Sequence, residues 1–280
     1  MSLPDPNLLL SLRGRVLIVA GSDSGGGAGI QADIKTVTAL GGFATTAVTA
    51  ITVQDTLGVH GIHEIPLDII QAQMRVVLDD IGTDAIKTGM LHSVEIIEAV
   101  AEEISERAPT AVLIVDPVMV AKGGAALLQA NAMDAYKRAL MPLAGLITPN
   151  IPEAEALTGR VIATLDQQKA AADALLGLGC DAVLLKGGHM PGETIFDVLA
   201  TQDMIEVMSG PRIDTRHTHG TGCTLASAIA ALMAQGAPLR DAVEIARDYV
   251  TEAIRTAPGF GKGNGPLYHA HTFRPDEEEN

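Results

Sequence analysis

At 280 residues the chain is near the upper limit for a single hydrophobic core, so its length favours one large domain over two small ones. Apolar residues make up 47% and aromatics only 2%, with no Trp, so the core must be built from Val, Ile, Leu, Ala and Met. The net charge of −15 argues against a nucleic-acid partner, which would need a basic face, and no apolar run reaches the roughly 18 residues of a membrane span. The N-terminus lacks the basic and apolar regions of a secretory signal, and two cysteines, Cys180 and Cys223, imply no disulfide framework. A reducing cytoplasm fits both observations.

Residues 1–13 read as an N-terminal extension, 14–272 as one domain, and 273–280 as a solvated acidic tail. The apolar, β-branched run Arg15 to Ala20 predicts a strand buried on both faces, ending at a glycine-rich loop from Gly21 to Gly29. A helix over 30–40 closes at Gly41-Gly42, a strand follows over 43–53, and residues 54–58 turn. Residues 66–80 carry an apolar helical stripe of Leu67, Ile70, Met74, Val77 and Leu78. A short strand over 84–87 ends at Thr88-Gly89-Met90, and a helix over 93–107 follows. The buried strand over 111–115 delivers Asp116. Lys122-Gly123-Gly124 reads as a flexible loop and 130–140 as a helix. A strand over 145–148 ends at Pro149-Asn150, with a short helix beginning near Pro152 and another over 166–178. The strand over 182–185 ends at Lys186-Gly187-Gly188-His189, and 194–199 with 204–208 predict a hairpin at a sheet edge. The helix that begins at Cys223 ends at Gly236, and Pro238 opens a last helix to about Thr256.

This alternation implies right-handed βαβ units and a mostly parallel sheet with helices on both faces. Ligands bind such sheets beyond the carboxyl ends of the strands. Those ends carry Gly21 with Asp23, Gln54, Met90, Asp116, Asn150 and Lys186.

The stretch His217-Thr218-His219-Gly220-Thr221-Gly222-Cys223-Thr224 feeds an alanine-rich helix. The first-turn amides of a helix have no intrahelical partner, and two glycines let an anion approach them closely. Cys223 falls in that turn, where the helix dipole favours a thiolate. A phosphatase-type cysteine nucleophile would need an Arg six residues on, where Ile229 stands.

The loop after the first strand is neither G-x-G-x-x-G, since position 30 is Ile, nor a Walker A loop; it is a tight packing turn or a wall of a small-ligand pocket. Asn150 with Glu153 is a capping-box pattern or a Mg²⁺ and phosphate site. Asp116 begins a turn before Pro117 or holds Mg²⁺. Lys186 snorkels to solvent or reaches over its glycines to a polyphosphate. His217 and His219 match no common zinc spacing and read as loop or packing residues. His60 and His63 fall in an expected surface loop.

Six motifs occur together in one order: Gly-Ser-Asp-Ser-Gly-Gly-Gly-Ala-Gly-Ile-Gln-Ala-Asp at 21–33, Lys-Thr-Gly-Met at 87–90, Asp-Pro-Val-Met at 116–119, Thr-Pro-Asn-Ile-Pro-Glu-Ala at 148–154, Lys-Gly-Gly-His at 186–189 and His-Gly-Thr-Gly-Cys-Thr at 219–224. In this the chain resembles the bacterial hydroxymethylpyrimidine/phosphomethylpyrimidine kinases of thiamine biosynthesis over about residues 14 to 270. The resemblance implies a ribokinase-like three-layer α/β/α sandwich, with ATP and Mg²⁺ as cofactors and a pyrimidine alcohol and its monophosphate as substrates. By motif, Cys223 corresponds to the base, and Gly220, Thr221 and Gly222 to an anion hole. Lys186, Asp116 and Asn150 correspond to ATP and phosphate contacts, Glu153 and Asp116 to the Mg²⁺ site, and Gly21, Asp33, Gln54 and Met90 to the pyrimidine pocket. Of assemblies, a homodimer is the default for closed symmetry.

Overall fold

The computed structural model describes residues 14–273 except 122, 123, 126 and 130. The expected N-terminal extension, the acidic run at the C-terminus, and Lys122 and Gly123 of the expected flexible loop lie outside the described residues.

β1 (Arg15–Asp23) lies within a nine-stranded sheet. The others are β2 (Phe43–Gln54), β3 (Val59–Glu64), β4 (Ala85–Thr88), β5 (Val112–Val115), β6 (Leu146–Ile147), β7 (Ala182–Leu185), β8 (Thr194–Thr201) and β9 (Ile205–Pro211), in the order β3-β2-β1-β4-β5-β6-β7-β8-β9. The six inner strands from β2 to β7 pair in parallel, while β3 at one end and β8 and β9 at the other are antiparallel.

Strand alternation divides the apolar runs between two cores. Leu17, Val19, Ile86, Leu113, Val115, Val183 and Leu185 face α2 (Leu67–Asp80), α3 (Val94–Arg107), α5 (Ile151–Thr158) and α6 (Leu165–Leu176). Val16, Ile18, Ala20, Ala85, Ile114, Leu146 and Leu184 face α7 (Thr221–Ala234) and α8 (Leu239–Arg255), and α1 (Gly29–Ala39) packs on the same side. This is the expected three-layer sandwich. Residues 224–231 of α7 are all buried, and the alanines among them let the helix lie between the sheet, α1 and α8.

Two expectations change, and one element is added. The segment after Gln54 is a strand, β3, rather than a loop, and His63 pairs with Ile51. Its mixed sequence hides the strand because β3 is an edge with little to bury. The helix expected over 130–140 contracts to α4 (Met133–Ala135), which runs into a π turn over Tyr136–Leu140 and a 3-10 turn over Met141–Leu143. Pro142 cannot donate the amide that a continued α-helix would use. A 3-10 turn at His269–Phe273 follows α8 and places His269 beside Thr224.

Candidate active site

The carboxyl ends of β5, β6 and β7 meet the N-terminus of α7. Lys186, just beyond β7, places Nζ 3.1 Å from Asp116 Oδ1, just beyond β5. Thr148, after β6, donates to the same oxygen at 3.3 Å. A Cβ on Gly222 would lie 3.2 Å from Lys186 Nζ and 3.7 Å from Asp116 Oδ2. The first turn of α7 therefore sits directly over this charge pair, with only a glycine between.

Asn150 and Glu153 form the capping box of α5: the Asn150 amide donates to Glu153 Oε2 at 2.7 Å and the Glu153 amide to Asn150 Oδ1 at 3.0 Å. The cap does not exhaust the carboxylate. Burial, reinforced by Asp116 and opposed by Lys186, pushes Glu153 up to about 7. For Lys186, burial opposes the charge, but Asp116 and Glu153 outweigh it and raise its pKa. Among the described residues no group of three or more His, Cys, Asp or Glu forms an all-protein metal site. Two buried carboxylates at one strand-end cluster suit Mg²⁺, which takes one or two carboxylates and completes its shell with water and substrate phosphates.

The glycine-rich loop after β1 packs against the α7 loop. Gly220, the N-cap of α7, has φ +84°, and a Cβ there would lie 1.8 Å from the Gly27 carbonyl oxygen. A Cβ on Gly27 would lie 2.5 Å from the His219 ring. This part of the loop is therefore a packing turn, and what it packs against is the backbone leading into α7. Within it, Asp23 accepts from the amides of Gly25, Gly27 and Ala28 and bonds His219 Nε2 at 2.8 Å. Burial would raise the Asp23 carboxyl, but His219 and the Ala28 and Gly25 amides outweigh it and hold it below the ordinary carboxylate range. His219, expected as a loop or packing residue, packs its ring on Gly27, and that ring also stands 3.3 Å from the Gln54 amide.

Gly21 and Met90 come together near the ends of β1 and β4, and Gln54 closes the neighbouring strand β2. A Cβ on Gly21 would lie 3.1 Å from Met90 Sδ, so glycine here lets the thioether form the wall. A narrow cavity beside Gln54 and His219 is completed by Thr56, Val59, Ala121 and Asn264.

Asp33 does not join that wall. It is fully buried, both its oxygens lie 2.9 Å from Lys87 Nζ, and Ser227 donates to Oδ1 at 2.7 Å. The pyrimidine-contact expectation for Asp33 is corrected on this ground: its carboxylate compensates a buried ammonium between α1, β4 and α7.

Cys223 is half-buried among charged side chains rather than in hydrocarbon. Burial, reinforced by Asp33 and Asp116 and opposed by Lys87, pushes its thiol up to about 12. The thiolate expected from the helix dipole is corrected: desolvation and two carboxylates outweigh the partial charge of a helix end, which falls off within one turn.

Sequence reasoning read Gly187 only as a floor beneath Lys186 and gave no role to Asp197, Arg247 or Arg212. A Cβ on Gly187 would lie 1.9 Å from the Phe196 carbonyl oxygen, and the Gly187 amide donates to buried Asp197 at 2.8 Å. Arg247 holds Asp197 in turn, and Arg212 donates to the carbonyls of Gly188 and Gly192. Lys87 carried the one available signal, a lysine inside a buried strand.

The N-terminus of α7 over a lysine and two carboxylates, at the strand ends of this sheet, is the arrangement of a phosphotransferase of the ribokinase-like class. Residues 23–268 match the phosphomethylpyrimidine kinase family. The chain is 48% identical to the hydroxymethylpyrimidine/phosphomethylpyrimidine kinase of Bacillus subtilis, across 91% of this chain and 94% of that one. It is 51% identical to a thiamine biosynthesis bifunctional protein of Geobacter sulfurreducens, across 92% of this chain but only 52% of that longer one. Its fold matches an ADP complex of Bacillus subtilis pyridoxal kinase with a TM-score of 0.86 and 39% identity, across 92% of this chain and 98% of that one. The chain belongs to the phosphomethylpyrimidine kinase family.

Proposed function

We propose that this chain transfers phosphate from ATP to the hydroxymethyl group of 4-amino-5-hydroxymethyl-2-methylpyrimidine, and then to the resulting monophosphate, in thiamine biosynthesis. The approach of Gly222 to Lys186 and Asp116 carries the reading. It provides one place where amides and an ammonium converge on a migrating phosphoryl group.

Phosphoryl transfer through a loose transition state asks the protein chiefly for positioning and charge stabilisation. The amides of Gly220, Thr221 and Gly222 serve as the anion hole, each well-placed donor being worth ~3 kcal/mol. Lys186 neutralises donor phosphates, Asn150 fixes the strand end beside them, and Asp116 with Glu153 hold Mg²⁺. Held by Asp116 and Glu153, Mg²⁺ would supply positive charge beside the donor phosphates and so favour the thiolate form of Cys223. Cys223 then takes the proton of the acceptor hydroxyl, with Lys87 favouring the charged sulfur. Gly21, Met90 and Gln54 hold the pyrimidine ring. The catalytic unit is 14–272, and we place it in the cytoplasm as a homodimer, the assembly being checked by sedimentation.

Incubation with Mg-ATP and the pyrimidine alcohol, followed by phosphorus NMR, should yield the mono- and then the diphosphate ester. Absence of both products sinks the assignment. The likeness to a pyridoxal kinase favours a second acceptor, a pyridine alcohol of the vitamin B6 type. Side-by-side turnover of the two alcohols ranks them.

A further inference from the structure

His219 links the acceptor wall to the anion hole, and the protons of its network fix how Gln54 is presented. Asp23 Oδ2 accepts from the amides of Gly27 and Ala28 as well as facing His219 Nε2 at 2.8 Å. A carboxylate only accepts, so His219 Nε2 carries its proton there. The Gln54 amide lies between this N–H and Thr52, with Nε2 placed 3.3 Å from His219 Nε2 and Oε1 3.1 Å from Thr52 Oγ1, an assignment of oxygen and nitrogen that the surrounding proton donors reverse. Thr52 Oγ1 is also 2.9 Å from the Ser22 carbonyl, and its single proton serves that acceptor.

With the amide nitrogen toward His219, two N–H donors would oppose each other and Gln54 Oε1 would face a hydroxyl whose proton is already committed. With Oε1 toward His219, every group is paired: His219 Nε2–H is shared by Asp23 and Gln54 Oε1, Gln54 Nε2 donates to Thr52 Oγ1, and Thr52 donates to Ser22. Hydrogen-bond networks of this kind decide amide orientation.

We propose that His219 is a positioning residue that locks the Gln54 amide with Oε1 toward the imidazole, and thereby sets selectivity for an aminopyrimidine alcohol over a pyridine alcohol. The inference rests on the kinase reading above and on Gln54 lying in its acceptor pocket. The locked amide offers one remaining N–H to a ring nitrogen and one oxygen lone pair to an exocyclic amino group. An aminopyrimidine has that acceptor and donor on adjacent ring positions, whereas a pyridine with a ring hydroxyl does not repeat the pattern. A pocket that fixes both partners rejects the mismatched ring by leaving a buried polar group unpaired.

His219→Ala frees the amide to turn. Its KM for the pyrimidine alcohol should rise about tenfold and its selectivity over pyridoxine fall by a similar factor, the loss of one hydrogen bond's worth of discrimination, while the KM for ATP stays within about twofold. His219→Gln places an amide N–H where Nε2 stood and should restore most of both. Neutron diffraction of the unmutated protein should find Oε1 of Gln54 toward His219, and so reads the orientation even if His219→Ala fails to fold. Deuterons on the Gln54 atom facing His219, or unchanged KM and selectivity in His219→Ala, overturn the inference alone. Turnover of neither alcohol by the unmutated protein overturns the kinase reading and this inference with it.

Discussion

Lys87 Nζ lies 2.9 Å from both carboxylate oxygens of Asp33, and neither side chain is exposed to solvent. Burial opposes the lysine's charge, but the Asp33 carboxylate outweighs it, with smaller help from Cys223 and Asp116, so the ammonium is held charged. Each member of such a pair exists to compensate the other. Lys87→Met should therefore destabilise the protein by ~3–5 kcal/mol, because it strands a buried carboxylate. Lys87→Met with Asp33→Leu should recover most of that loss in urea unfolding. Single variants that unfold within about 1 kcal/mol of the unmutated protein would show that the pair carries no such burden.

The Cys223 thiol, pushed up to about 12 chiefly by burial, should be a poor nucleophile in the unliganded protein. Its alkylation by iodoacetamide at pH 7 should run about a thousandfold slower than that of an ordinary thiol, since only the thiolate reacts. Mg-ADP should speed it if bound cationic charge lowers the pKa, provided the reagent still reaches the sulfur. Mass spectrometry separates Cys223 from Cys180. Rapid labelling of Cys223 at neutral pH without ligand would contradict the desolvated thiol.

Glu153 illustrates a carboxylate kept at a cost to stability. Its folded pKa, raised to about 7 by burial foremost, exceeds the ordinary glutamate value, so the folded state binds the proton more tightly. The associated stability is full below the ordinary value near 4.5 and is lost as pH rises through about 7. Glu153→Gln preserves the capping-box geometry and removes the charge. Melting temperature should rise by a few degrees at pH 8 and change little at pH 4, while kcat with Mg-ATP falls at least about a hundredfold. Equal melting curves at pH 8 would refute the stored penalty.

His269 has the opposite slope. Burial, aided by Lys35 and His271, lowers its pKa to about 4, and it bonds Thr224 Oγ1 at 3.0 Å in the first turn of α7. The folded state binds this proton less tightly than the unfolded chain, so its contribution is present above about pH 6.5 and is lost as pH falls toward 4. His269→Gln should flatten this part of the stability profile in denaturant titrations at several pH values. A profile that keeps its slope would place the acid sensitivity elsewhere.

Gly220→Ala tests the contact between the two glycine loops. The new methyl would fall 1.8 Å from the Gly27 carbonyl at a φ of +84°, so the loop must open. Turnover should drop by more than about a hundredfold through loss of the anion hole. Gly236→Ala, with φ +87° but no atom within 4 Å, is the control that carries backbone strain alone. Similar turnover in both variants would remove the loop contact from the argument.

The amino-acid sequence by itself determined the layered sheet, the order of the motifs and the places where strands end. Continuous apolar runs such as Val16 to Ala20 require two covered faces, and the glycines around Thr221 mark a helix start open to an anion. Only the tertiary structure decided which polar groups meet. Asp23 and His219 are 196 residues apart and Asp33 and Lys87 are 54 apart, so strand order and helix packing, not local pattern, make them partners. Periodicity reports that a face is buried, but it does not report what lies across from it. The same holds for Cys223: a helix end lowers a thiol locally, whereas burial, with the charges of Lys87, Asp33 and Asp116 that arrive from α1 and the ends of other strands, pushes this one up.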